Sequence, residues 1–182
     1  MAKLIVCLTG MPGAGKSTIA KGLKSKGFEK ITMGDAVRAE ATRRKIEPIG
    51  ENLGKLMLEL REKNGPGAVA ELIKNQIDNS KSDVIVIDGV RSIAEVDVLK
   101  KFGAVKLLSI HASADTRFKF LSGRGRSDAP LGHEDFSKRD SREMMVGMSD
   151  SIALADETIS NNNLTIPQLI DSAYNIIKGW MK

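Results

Sequence analysis

Eight consecutive residues constrain this chain more than any others: Gly10-Met11-Pro12-Gly13-Ala14-Gly15-Lys16-Ser17, followed by Thr18. They fit G-x-x-x-x-G-K-[ST], the pattern of a phosphate-binding loop. The context fits as well. Leu4 to Leu8 is a short apolar run of strand type, and beyond the motif Ile19, Ala20 and Leu23 recur at helical spacing. A strand feeding a glycine turn that opens a helix directs backbone N–H groups at an anion on the helix N-terminus. In such a loop Lys16 reaches the β- and γ-phosphates of a nucleoside triphosphate, and the Ser17 hydroxyl holds Mg²⁺. ATP and Mg²⁺ are therefore the expected ligands.

Bulk properties bound the rest. A chain of 182 residues, 41% hydrophobic and 28% charged, suits one α/β domain spanning 1–182. No apolar run approaches the length of a membrane span, and the N-terminal run is too short for a signal peptide, so a cytoplasmic protein with no membrane partner is expected. Cys7, the single cysteine, excludes an internal disulfide framework and reads as a small buried hydrophobe. A net charge of +5 permits nucleic-acid binding, but aromatics are only 4%, so a base-stacking surface is thinly supplied and that partner is not favoured. A monomer or small homo-oligomer is expected.

The chain then alternates. Phe28 to Thr32 reads as a second strand. Residues 34–79 read as a helical insertion, with one helix from Gly34 stopped by Pro48 and Gly50, a second over Asn52 to Lys63, and a third from Pro66 to about Ile77. Val84 to Ile87 is an unalternating β-branched run, as expected of a parallel strand covered on both faces. Ser92-Ile93-Ala94-Glu95 is a capping box for a helix reaching Phe102, Val105 to Ile110 is a fourth strand, and Ser113 caps a helix to about Gly123. Residues 124–150 are polar with weak periodicity and read as a mobile flap. Thr158 to Ser160 is a fifth strand, and Thr165-Ile166-Pro167-Gln168 opens a C-terminal helix. This order predicts a three-layer α/β fold with a parallel sheet.

Several short motifs then narrow the chemistry. Gly34-Asp35-Ala36-Val37-Arg38 resembles the G-D-x-x-R of adenylate kinases, and Asp88-Gly89-Val90-Arg91 resembles their D-G-x-P-R. Leu121-Ser122-Gly123-Arg124 is similar to the helix end that leads into their lid. Ala155 to Asn161 is similar to the A-D-x-x-I-x-N segment of dephospho-CoA kinases. Gly123 to Asp128 and Arg139 to Glu143 resemble an archaeal family of adenylate-kinase-related proteins. The resemblance implies a P-loop NTPase fold with strand order 2-3-1-4-5, an acceptor-binding insertion at 34–79 and a lid at 124–150. It implies a kinase of a small phosphorylated acceptor such as a nucleoside monophosphate or a dephospho-CoA-like molecule.

The same resemblance implies individual roles. Arg38 and Arg91 would clamp the acceptor phosphate, Asp35 would sit near the acceptor and the metal waters, and Arg124 would neutralise charge on the transferred group. Lys16, Asp35 and Arg124 would then be the catalytic set. Asp88, at a strand end, would hold Mg²⁺ through water; the alternative is a turn aspartate before glycine. In the lid Arg139 and Arg142 are candidates for substrate contact, ahead of Arg126.

Departures from the family pattern leave alternatives open. The sequence lacks the proline of D-G-x-P-R. Where adenylate kinases place an adenine-reading glutamine, Glu95 can only accept, which suits a base with N–H groups such as guanine; alternatively it completes the capping box. Phe120 replaces the arginine that stacks on the donor adenine, and either stacks or packs in the core. Met144, Met145 and Met148 read as packing residues, His111 as structural and His133 as surface. A rival function is a P-loop ATPase or nucleotide switch acting with a protein or RNA partner.

Overall fold

In the structure, a computed structural model, residues 3–123 and 130–182 are described. Arg124 and Arg126, named above as candidates, lie outside the described residues. Five strands, β1 (Leu4–Thr9), β2 (Glu29–Thr32), β3 (Val84–Asp88), β4 (Ala104–His111) and β5 (Glu157–Ser160), pair in the order β2-β3-β1-β4-β5. Every pairing is parallel, and the central register sets Ile5 against Ile85 and Val105. The expected order 2-3-1-4-5 is thus borne out.

Unalternating apolar strands make sense in this arrangement because residue parity divides them between two cores. Ile5, Cys7, Ile85, Ile87 and Leu107 face one core, whereas Val6, Leu8, Val84, Val86, Leu108 and Ile110 face the other. The second face is covered by α1 (Lys16–Ser25) and α10 (Ile166–Trp180), through Ile19 and Leu23 on one helix and Leu169, Ala173 and Ile177 on the other. The α10 start is fixed by reciprocal bonds between Thr165 and Gln168, the expected capping box. Cys7 is fully buried, and burial pushes its thiol far above the usual range, which suits packing and not nucleophilic chemistry.

The first face is covered by α2 (Met33–Arg43), α3 (Gly50–Asn64), α4 (Ala68–Glu71), α5 (Lys74–Asn79) and α6 (Ile93–Leu99). Met33, Val37, Leu56, Leu60, Val69 and Ile77 join the strand residues in one core, so the insertion is continuous with the domain's hydrophobic interior. The single helix expected from Pro66 to Ile77 is two short ones, α4 and α5, with Ile73 fully buried between them. The helix expected from Ser92 to Phe102 ends at Leu99 in turns.

Beyond β4 come α7 (Ala114–Ser122), α8 (His133–Met145) and α9 (Met148–Ala153). The described part of the flap expected over 124–150 is mostly helical. Periodicity missed α8 because Phe136 is its single buried residue. Its apolar residues are too few to form an i, i+3, i+4 run that marks a helix in the sequence, and polar contacts hold this one in place. Phe120 is 39% exposed, which overturns the core alternative. The aromatic packing belongs to Phe118, which stacks on His133 and meets Phe136 edge-on. Of the methionines read as packing residues, Met148 is buried but Met145 is 87% exposed and Met144 is also exposed. His111 is exposed as well, against the expected structural role.

Candidate active site at the carboxyl edge of the sheet

Parallel strands aligned in one direction place every strand's carboxyl end on the same edge, where ligands of open α/β sheets bind. β1 delivers the glycine loop there, β2 delivers Thr32 and the start of α2, and β3 delivers Asp88 and Arg91. One cleft runs along this edge, lined by Lys16, Ser17, Arg38, Asp88, Arg91 and Arg139 among others. Its volume of about 210 Å³ is below the roughly 300–1,000 Å³ usual for whole-ligand pockets.

The loop is braced from behind. Asn161 Nδ2 donates to the Ala14 carbonyl at 2.8 Å, and Arg117 Nη1 donates to the Pro12 carbonyl at 3.1 Å. Lys16 Nζ donates to the carbonyls of Gly10 and, at 3.1 Å, Met11. Gly15 is the N-cap of α1 at φ 115° and offers no side-chain cap, so the N–H groups of Lys16 and Ser17 are left for an anion, whereas that of Thr18 bonds the Gly15 carbonyl. Alanine cannot substitute here: its Cβ would lie 2.7 Å from Asn161 Nδ2 in a left-handed conformation. At Gly13, φ 87°, a Cβ would lie 2.8 Å from the Arg117 carbonyl. The glycines are thus demanded by protein packed behind the loop as well as by the turn itself.

Lys16 is electrostatically unusual. Burial lowers its pKa to about 8, with the negative charge of Asp88 offsetting part of that and Arg91 adding to it. A phosphate chain against the ammonium would favour the charged form and raise the pKa again. Binding of an ATP analogue between about pH 8 and 9 is therefore expected to take up a proton, with affinity falling by up to roughly tenfold per unit as pH rises above 8. Calorimetry in two buffers of different ionisation enthalpy measures this uptake. A pH-independent affinity with no proton exchange would separate Lys16 from the phosphates.

For the metal, Ser17 is exposed at the loop and Asp88, 4% exposed, lies at the end of β3, both lining the cleft. Among the described residues no cluster of three or more His, Cys, Asp or Glu side chains could hold an ion. One hydroxyl and one carboxylate are nonetheless the oxygen donors that Mg²⁺ uses when phosphates and water complete its shell. The residues present fit that ion.

On the acceptor side the expectations divide. Arg38 lines the cleft, and its Nη1 donates to Asp35 Oδ1 at 2.6 Å. Asp35 itself is largely exposed and is not a cleft residue. Glu95 requires a correction. It is fully buried, accepting from Arg61 Nη2 at 2.8 Å and from the Arg91 backbone N–H at 2.7 Å. Its own N–H donates to Ser92 Oγ, the cap of α6. Both carboxylate oxygens are engaged, so Glu95 anchors the Arg91 loop and does not read a base. Arg139 and Glu143, four residues apart on α8, line the cleft, whereas Arg142 is exposed and does not.

Three contributors were not anticipated as site residues. Arg117 is 6% exposed, bidentate to Asp140 at 2.9 and 2.6 Å, and lies over the Phe136 ring. Its sequence signal is a charged residue four before Leu121 on the buried stripe of α7. Glu143 bonds Arg91 Nε at 2.7 Å, and its signal is a carboxylate three residues after Asp140 on the same helix. Asn161 carried its signal in the A-D-x-x-I-x-N segment.

A parallel sheet of this order with a glycine loop and lysine at its carboxyl edge defines a P-loop kinase-like domain. The AAA domain family model matches residues 9–135. The chain is 42% identical over 159 residues to a UPF0200 protein of Hyperthermus butylicus, covering 87% of this chain and 86% of that one. It belongs to the UPF0200 family. The archaeal resemblance read in the Arg139 to Glu143 segment is borne out. Among solved structures, TT1252 from Thermus thermophilus superposes with a TM-score of 0.66 at 18% identity over 96% of this chain and 98% of that one. A shikimate kinase from Acinetobacter baumannii, in complex with shikimate, gives 0.62 at 15% over 98% and 94%. At those identities the likeness is one of fold. Among the described residues no helix is long and apolar enough to cross a membrane.

Proposed function

We propose that the protein is an ATP- and Mg²⁺-dependent phosphotransferase that moves the γ-phosphoryl group onto a small phosphorylated acceptor. The observation that carries this reading is that one cleft is lined by Lys16 and Ser17 of the glycine loop and also by Arg38 and Arg91. An ATPase or switch would need the first pair alone. Two arginines lining the same cleft as a phosphate loop suit a second substrate that brings its own anion.

In this reading the loop N–H groups and Lys16 hold the β- and γ-phosphates, and Arg38 and Arg91 orient the acceptor for in-line attack. Mg²⁺, held by Ser17 and through water by Asp88, would supply positive charge to the transferring group. An acceptor phosphate is already an anionic nucleophile, so no side chain must act as a strong base. The exposure of Asp35 and its pairing with Arg38 agree with this, because a hydroxyl acceptor would ask Asp35 to remove a proton. Arg139, lining the cleft from α8, would add charge near the reacting phosphates and help to exclude water.

The test is a panel of acceptors, each nucleoside monophosphate and dephospho-CoA, incubated separately with labelled ATP and Mg²⁺. At least one acceptor should gain label with the wild-type protein and none with Lys16→Ala. A panel in which nothing exceeds the variant's background would remove the proposal for these acceptors. Hydrolysis unaffected by every acceptor but accelerated by a protein or RNA partner would support the switch instead.

A further inference from the structure

Arg91 is the acceptor-side cation of the reading above, yet its guanidinium already has an anion. Nε donates to Glu143 Oε2 at 2.7 Å, and the two side chains are only 24% and 15% exposed. Both partners are fixed by their surroundings. The Arg91 backbone N–H bonds Glu95, and its Nη1 meets the Met57 sulfur at 3.6 Å. Glu143 rides on α8, which is pinned three residues earlier by the bidentate Asp140–Arg117 pair. Glu143 also lines the cleft, close enough to Lys16 to favour its charged form. A surface pair of long side chains would be loose; this one is built from two anchored elements.

We infer that Glu143 is a specificity-determining residue, a built-in competitor for the acceptor's anion that a doubly charged phosphate ester displaces from Arg91 and a singly charged carboxylate does not. The inference rests on the acceptor-phosphate reading of Arg91. A free carboxylate would make the same bond that Glu143 makes, but from solution, against a tethered group at high effective concentration. It would also lose translational freedom on binding. A phosphate monoester brings up to two charges and three strong acceptor oxygens, enough to span the guanidinium fork. Glu143 thereby sets a threshold of charge for occupancy of the acceptor side.

The experiment follows the Arg91 Nε–H signal by nitrogen-15 NMR, assigned with Arg91→Lys. Excess Mg²⁺ and a non-hydrolysable ATP analogue keep the phosphate loop filled. Methyl phosphate and, separately, acetate are titrated at about pH 8, where the phosphate is a dianion. In the wild-type protein methyl phosphate should move the signal and acetate at equal concentration should not. In Glu143→Gln both should move it, with the methyl phosphate midpoint lowered by about tenfold, within the range of ordinary coupling between sites. Glu143→Asp, which withdraws the carboxylate by one methylene, should give an intermediate midpoint, and Glu134→Gln on the exposed side of α8 should match wild type. The amide spectrum of each variant reports that the fold is kept. A Glu143→Gln midpoint within about twofold of wild type, or a wild-type response to acetate equal to that to methyl phosphate, overturns the inference and leaves the acceptor reading standing. Absence of any Arg91 response in both proteins overturns the acceptor reading together with it.

Discussion

Lys16→Ala is expected to lower phosphoryl transfer by at least about a hundredfold, the scale for losing one preorganised charge at a transition state. Two effects combine. The ammonium would no longer meet the charge that builds on the transferring oxygens. The Gly10 and Met11 carbonyls would also lose the donor that now turns them inward, so the loop itself would relax. Steady-state assays with a competent acceptor separate the two: a fall in kcat with KM for ATP held within severalfold marks the transition-state term, and a rise in KM alone marks the loop term. An unchanged kcat/KM would remove Lys16 from the mechanism.

Arg117→Met is expected to have the largest effect on stability, about 3–5 kcal/mol. The guanidinium satisfies Asp140 through two bonds and the Pro12 and Ala112 carbonyls through others, with almost no access to water. Removing it leaves a poorly hydrated carboxylate, 14% exposed, and two carbonyls each short of a donor. For a domain of this size that is a fall in Tm on the order of 10 °C. The double variant Arg117→Met, Asp140→Leu should regain much of the loss, because an apolar pair of similar volume avoids the uncompensated charge. Denaturant unfolding of the two variants measures the difference. A single variant within about 1 kcal/mol of wild type would mean that the pair is not a strut between α7, α8 and the loop.

That strut shows why parts of the site were legible in the sequence and others were not. The glycine loop, Ser17, Asp88 and Arg91 could be placed because each follows a strand whose apolar run is obvious, and strand ends converge in a parallel sheet. Glu95 could not be decided, since a capping box and a base contact require the same residue type at the same position. Tertiary packing decided it by closing Arg61 over one oxygen. Phe120 failed for a related reason: helical spacing alone does not say which turn of α7 faces α8, and Phe118 took that place.

The amino-acid sequence by itself determined the phosphate loop of this protein. Its local pattern of strand, glycine turn and helix specifies a phosphate site whatever surrounds it, because backbone N–H groups and one lysine do the binding. Patterning alone also marked out the five strands, since short apolar runs are a local property, whereas the division of their residues between two cores came with the structure. The arrangement around Arg38 and Arg91, where the proposed function puts the acceptor, emerged only with the fold. Which carboxylates meet Arg91 and Arg117 depends on where α8 lands, and α8 is positioned by ion pairs between residues up to 52 positions apart in the chain. Such contacts leave no periodic trace, because a charged residue looks the same in a sequence whether it faces water or a buried partner.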